Sequence, residues 1–309
     1  MMKMKNKLIA AMLISAALML SGCGGTEKAP SVSEAAETTT TTEATTTAAE
    51  TTEAEINTET EAASNDVSTS EITSAEAQAD ENDGMKGVNP VRTAEELEGK
   101  KVIALTFDDG PNTAVTNEII DLLEEYGIKA SFFVIGQNIT PETGLVMQRA
   151  HAQGHEINSH SYTHSYMDQM TAEDIKDEMK KTSDLIYEYT GEYPHFFRPP
   201  YIAVNDTMYE NIDLPFISGL GCNDWDDGTS VEKRVKFLTK RCPEGCIILL
   251  HDQETNEKTV EALRQSLPVM LEDGFEFVTV SELFVAKGIT PVSESGKIYS
   301  YGTESGWAQ

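Results

Sequence analysis

The chain has 309 residues and a formal net charge of −29, from 23 basic and 52 acidic side chains. That balance argues against a nucleic-acid binder, which needs a basic face for phosphates, and against a polybasic membrane-surface protein. Four cysteines rule out a disulfide-dense scaffold, and all ten Phe, ten Tyr and two Trp lie from Phe107 onward, so a packed core before that point is not expected.

Lys3, Lys5 and Lys7 precede an apolar run from Leu8 to Leu20. The run is too short to span a bilayer comfortably but fits a signal-peptide core. It ends in Leu20-Ser21-Gly22-Cys23, which resembles the lipobox of bacterial lipoproteins. That resemblance implies a signal peptide over 1–22 and a diacylated Cys23 that anchors the protein without spanning the membrane. An ordinary secretory signal with an incidental cysteine is the alternative. Residues 23–86 then follow as a linker rich in Thr, Glu, Ala and Ser, with 15 acids and one base, Lys28, between Gly24 and Gly84. Such a segment buries too little apolar area to offset its chain entropy, so a disordered tether of about 45 Å is expected. The expected location is extracytoplasmic, lipid-anchored to the cell membrane and facing the cell wall. The membrane is touched only through the lipid.

From Lys101 the apolar periods alternate. Val102 to Phe107 reads as a strand that enters the turn Asp108-Asp109-Gly110-Pro111. Thr116 to Tyr126 has helical spacing and stops at Gly127. Ala130 to Ile135 reads as a strand, Pro141 to Ala152 as a helix and His155 to Ser159 as a third strand. Thr171 caps a long helix with Asp174 as its box partner, and Ile175, Met179, Thr182, Ile186 and Tyr189 form the inner face. Further strands are expected at Phe196-Phe197, Phe216 to Leu220, Cys246 to Leu250 and Phe275 to Val280. Helices fit at Val231 to Lys240 and at Glu257 to Leu271, the latter bent at Pro268. This alternation implies an α/β fold with a parallel sheet, open or closed into a barrel, and functional residues at the C-terminal ends of strands. The folded domain is expected over 87–290. In the tail, 291–309, Ile298, Tyr299 and Tyr301 are placed to dock as an edge piece.

Titratable residues gather at four strand ends. Adjacent Asp108 and Asp109 repel each other, so a cation or a shared proton is expected. His160-Ser161-Tyr162-Thr163-His164 spaces two imidazoles so that they can face one way on a helical turn and share a metal. One oxygen and two imidazoles suit Zn²⁺, with Co²⁺, Ni²⁺ and Fe²⁺ left open. Phe197-Arg198-Pro199-Pro200-Tyr201 fixes an extended backbone and the direction of Arg198. His251 ends a wholly apolar strand, which lowers its pKa unless a carboxylate faces it. Cys222, Cys242 and Cys246 read as buried or half-buried thiols, since no second pair completes a zinc site.

The order of these motifs resembles the polysaccharide deacetylases of the NodB-homology type, carbohydrate esterase family four, over Lys101 to Leu283. The resemblance implies a distorted (β/α) barrel with seven strands. It implies that Asp108 is the general base, that Asp109, His160 and His164 hold a divalent metal, and that Arg198 orients the base. It implies that the Tyr201 backbone N–H helps hold the oxyanion, that Asp224 pairs with the catalytic His and that Trp225 walls the cleft. Leu249 and His251 match an L-x-H motif whose His is the general acid. Two positions depart from the family pattern: Gly221 stands where an Asp is frequent, and Ile202 where a Gly is frequent. Both bear on substrate range. The expected activity is removal of N-acetyl groups from an N-acetylglucosamine polysaccharide, peptidoglycan foremost, by a monomer whose partner is the cell-wall polymer. An O-acetyl esterase on acetylated xylan, and a non-catalytic glycan-binding protein, are the alternatives.

Overall fold

In a computed structural model, residues 91–303 are described. The expected signal peptide, Cys23 and the tether lie outside the described residues. At the centre, Lys101–Asp108 forms strand β1, buried from Val102 onward. Its faces alternate as a strand requires. Ile103, Leu105 and Phe107 join the largest apolar cluster, whereas Val102 and Ala104 join a second one. Thr106 and Asp108 continue that second face toward the carboxyl end.

Four more parallel strands pair around β1: β2 (Ser131–Val134), β3 (Glu156–Ser159), β4 (Ile247–His251) and β5 (Phe275–Val278). The order is β3-β2-β1-β4, with β5 also on β1. Strand β5 pairs with Lys101–Ala104 and β2 with Thr106–Asp108, while β4 takes the other edge along Ala104–Asp108. The two remaining expected strands survive as single parallel bridges, Ser159↔Phe197, Phe197↔Phe216 and Leu220↔Ile248. Those bridges carry the ring from β3 back to β4 and close a distorted α/β barrel of seven staves. Two staves are short for a physical reason: Pro199 and Pro200 follow Phe197, Pro215 precedes Phe216, and proline donates no ladder hydrogen bond.

The helices are α1 (Ala94–Leu97), α2 (Val115–Glu125), α3 (Pro141–Ala152), α4 (Ala172–Thr190), α5 (Asp206–Asn211), α6 (Val231–Arg241), α7 (Glu257–Glu272) and α8 (Val280–Lys287). The five expected helices appear within one or two residues of their expected ends. Helix α7 runs on through Pro268, which lies on the exposed face, so the Arg264 carbonyl that loses its partner is left to water. At α4, Thr171 Oγ1 accepts the Asp174 N–H, but the Asp174 carboxylate takes the Thr171 hydroxyl and not its N–H, so the expected box is half made.

Helix α8 corrects the expected strand Phe275 to Val280. The strand stops at Val278 because Thr279 caps a helix, with a complete box to Glu282. Helix α1 begins with the same device, Thr93 and Glu96. The two starts are joined: Arg92 Nε lies 2.8 Å from Glu282 Oε1. The tail docks, with Ile298 and Tyr299 each 1 % exposed. Tyr299 bridges Ile217 in parallel, and Tyr301 bridges Cys246 antiparallel. No helix among the described residues is long and apolar enough to cross a membrane.

Candidate active site

Six described non-glycine residues have positive φ: Asp109, Ser161, His164, Tyr201, Ile202 and Asn223. All six belong to loops at the carboxyl ends of the strands, around one cleft of about 650 Å³. L-residues avoid this region at a cost of order 1–3 kcal/mol each, so the surrounding contacts must impose it.

The adjacent acids at the end of β1 are separated by that strain. Asp108 is 2 % exposed, and its Oδ1 accepts from Arg198 Nη1 at 2.5 Å. The Arg198 guanidinium is wholly buried and also donates to Thr106 Oγ1 and the Ser218 carbonyl, both at 2.8 Å. Asp109, at φ 78°, makes no contact with Arg198 Nη1, although Asp108 Oδ2 too lies 3.8 Å from His160 Nε2. Asp109 Oδ1 is buried without a hydrogen-bond partner, 3.5 Å from His160 Nε2 and 3.4 Å from His164 Nε2.

The two histidines converge, but not on the expected helical turn. The segment bends through Ser161 at φ 67° and His164 at φ 57°. His160 Nδ1 lies 2.7 Å from the Arg198 carbonyl. A carbonyl only accepts, so Nδ1 carries a proton, and in the neutral tautomer this leaves the lone pair on Nε2. Burial, and then His160, lower the His164 pKa, which favours its neutral form. The ligand atoms of Asp109, His160 and His164 lie within 4.8 Å of one another. An orphaned carboxylate oxygen beside two imidazole Nε2 atoms fits a divalent cation.

On the other side, His251 ends β4 in register with Asp108. Its Nδ1 lies 2.8 Å from Asp224 Oδ1, and its backbone N–H donates to Asp224 Oδ2 at 2.9 Å. Thr259 Oγ1 donates to the same oxygen at 2.8 Å. Burial pulls the His251 pKa down, but the hydrogen bond and charge of Asp224, with smaller help from Asp108 and Asp109, outweigh it and raise it to about 9. Tyr201, Trp225 and Leu249 line the cleft. Tyr201 stacks on Tyr166 at 4.0 Å between centroids and meets His164 edge-on at 4.8 Å. The two departures also line the cleft. Ile202 sits at φ 56°, a conformation that favours glycine, and its side chain packs on an apolar cluster around Met167 and Phe216.

Asp252 was not anticipated. It is 1 % exposed, its backbone N–H donates to the Asp108 carbonyl, and its Oδ2 accepts from Thr116 Oγ1 at 2.5 Å. Burial pushes its pKa up to about 7 against the pull of that hydroxyl. The sequence signal was Gly110, where a Cβ would stand 2.3 Å from Asp252 Oδ2. Cys222, Cys242 and Cys246 are free thiols, and burial raises the Cys222 pKa to about 12.

A family model for polysaccharide deacetylases matches residues 96–214. A peptidoglycan-N-acetylglucosamine deacetylase of Bacillus cereus is 34% identical over 191 residues, 60% of this chain and 88% of that protein. The chain belongs to the polysaccharide deacetylase family. A bifunctional xylanase/deacetylase of Pseudobutyrivibrio xylanivorans is 47% identical over 203 residues, 66% of this chain but only 33% of that protein. The structure of a family 4 acetyl xylan esterase from Clostridium thermocellum, in complex with a cobalt ion, aligns with a TM-score of 0.62 at 38% identity, over 65% of this chain and 98% of the esterase chain. Deacetylases of this family depend on a divalent metal.

The pairing of His251 with Asp224 has a direct test. Asp224→Asn removes the charge that favours the imidazolium, burial then prevails, and the pKa falls. An NMR titration of His251 is expected to show a midpoint at least about one unit lower in Asp224→Asn than in wild type. An unmoved midpoint in the folded variant contradicts the pairing.

Proposed function

We propose that the chain is a metal-dependent hydrolase that removes N-acetyl groups from an N-acetylglucosamine polysaccharide, peptidoglycan foremost. The observation that carries this is the convergence, in one cleft, of Asp109, His160 and His164 with the Arg198-held Asp108 and the Asp224-held His251. Asp109 through one oxygen and the two Nε2 atoms would hold the metal, zinc by the donor set. A divalent metal there supplies Lewis acidity that polarises the acetyl oxygen and acidifies water.

The chain's own groups supply the proton transfers. Asp108, fixed by Arg198, takes the proton from the attacking water. His251, kept protonated at neutral pH by Asp224, gives its proton to the nitrogen as the C–N bond breaks. Each transfer typically contributes ~10²–10⁴-fold. Tyr201 offers a backbone N–H toward the developing oxyanion, and Trp225 and Leu249 wall the sugar and its acetyl group. The expected anchor at Cys23 would keep the enzyme outside the cytoplasm beside the wall polymer. The 47% identity to a xylanase-linked deacetylase supports a second reading, O-acetyl hydrolysis on xylan, with the same residues in the same roles.

Acetate release from peptidoglycan, chitooligosaccharide and acetylated xylan, measured in parallel, separates these readings. Release from the two N-acetylated substrates, lost on chelation and restored by Zn²⁺, is expected. Release from xylan alone establishes the second reading, and release from none of them by zinc-loaded protein removes both. The anchor is tested separately by mass spectrometry of the mature N-terminus. A diacylglyceryl-modified Cys23 is expected, and an unmodified first residue contradicts it.

A further inference from the structure

The segment that joins the two imidazoles is held by a carboxylate to which the reaction assigns nothing. Glu178 lies on the inner side of α4 and is 8 % exposed. Its Oε2 accepts from the backbone N–H groups of Tyr162 and Thr163, both at 2.8 Å. Its Oε1 accepts from the Thr163 hydroxyl at 2.9 Å. Three donors of one short loop therefore converge on one side chain from another element.

The loop needs such a hold. Between His160 and His164 the chain adopts positive φ at Ser161 and again at His164 itself, neither of them glycine. Two residues in that region cost of order 1 kcal/mol or more each, so free loops of this sequence populate other conformations. The opposite side of the loop is pinned by Gly136 N–H to the Ser161 carbonyl and Gln137 N–H to the Tyr162 carbonyl, both at 2.9 Å. At Gly136 a Cβ would meet the Tyr162 ring at 2.5 Å, so the loop is pressed between the end of β2 and α4. Hydrogen bonds to a carboxylate are about twice as strong as neutral ones, which makes Glu178 the stronger jaw.

We propose that Glu178 is a positioning residue for the metal centre: it fixes the bend that sets His164 Nε2 opposite His160 Nε2 and Asp109 Oδ1. The proposal rests on the reading of those three residues as metal ligands. Helix α4 does not depend on Glu178 for its core, since Ile175, Met179, Thr182 and Ile186 fill the buried stripe. Loss of the carboxylate therefore acts on the loop first. Groups that orient metal ligands from behind change metal affinity by about 10–100-fold when removed.

The test uses the full chain as wild type, Glu178→Ala and Glu178→Gln. Zinc affinity is measured by competition with a chromophoric chelator, the visible absorption of the Co²⁺-loaded proteins is recorded, and circular dichroism of the metal-free proteins reports folding. Glu178→Ala is expected to weaken zinc binding about 10–100-fold and to alter the Co²⁺ bands. Glu178→Gln, which keeps a carbonyl oxygen for the two N–H groups, is expected to fall between Ala and wild type. Folded variants with wild-type zinc affinity and an unchanged Co²⁺ spectrum overturn the proposal. Where Glu178→Ala does not fold, Glu178→Gln decides alone: weaker binding supports the proposal and wild-type binding overturns it. A wild-type chain that binds no zinc overturns the reading of the metal ligands themselves.

Discussion

Arg198 is a cation with no exposed surface, and the positions of the surrounding residues follow from how its two terminal nitrogens are paired. An unpaired guanidinium in the barrel interior would cost several kcal/mol. Here it meets Asp108 and Thr106 of β1 and the Ser218 carbonyl of the 216–220 stave, and it lies over the Phe133 ring of β2, its central carbon 4.0 Å from the ring centroid. Its own carbonyl accepts from His160 Nδ1. One residue thus touches three staves and holds the His160 ring by its Nδ1. Breaking a buried pair from one side costs about 3–5 kcal/mol, so Arg198 and Asp108 cannot vary independently. The tail supports the same point from outside: the Ser218 N–H donates to the Tyr299 carbonyl at 2.7 Å, behind the stave that holds Arg198.

The electrostatics follow from that pairing. Four carboxylates crowd the strand ends: Asp108, Asp109, Asp224 and Asp252. Arg198 matches the first, and the His251 imidazolium matches Asp224. Burial raises Asp252 to about 7, so it sheds much of its charge near neutral pH. Asp109 remains, with a partnerless oxygen turned toward the Nε2 atoms of His160 and His164. A divalent cation completes that balance, and the same residues explain why the loops tolerate six left-handed non-glycine conformations in so small a region. The strain lies where ligands must be aimed, and buried hydrogen bonds and apolar packing hold it there.

The staves and the main helices were legible because their apolar periods are uncomplicated. Ile103, Leu105 and Phe107 alternate with Val102 and Ala104, and Ile119, Ile120 and Leu123 recur at helical spacing. The resemblance named the candidate site residues, and the fold brings all of the described ones to one end of the barrel. What sequence did not yield is loop conformation. Nothing in Ser161 or Ile202 announces a positive φ, so the His160–His164 segment read as a helical turn. Adjacent Asp108 and Asp109 were chemically equivalent until a buried Arg198 distinguished them. Helix α8 was hidden because Val280 continues an apolar run, although Thr279 and Glu282 carried the capping pattern. Asp252 was hidden because its significance is a contact between the ends of two neighbouring strands, with the turn at Gly110.

The central claim is that Asp109, His160 and His164 form one metal centre. A crystal structure of the zinc-loaded protein, with the metal located by anomalous scattering, tests it most directly. The account predicts one strong peak within about 2.0–2.2 Å of an Asp109 carboxylate oxygen and of both Nε2 atoms. A peak coordinated by other residues, or a zinc-loaded crystal in which His164 points away from the metal, would contradict it.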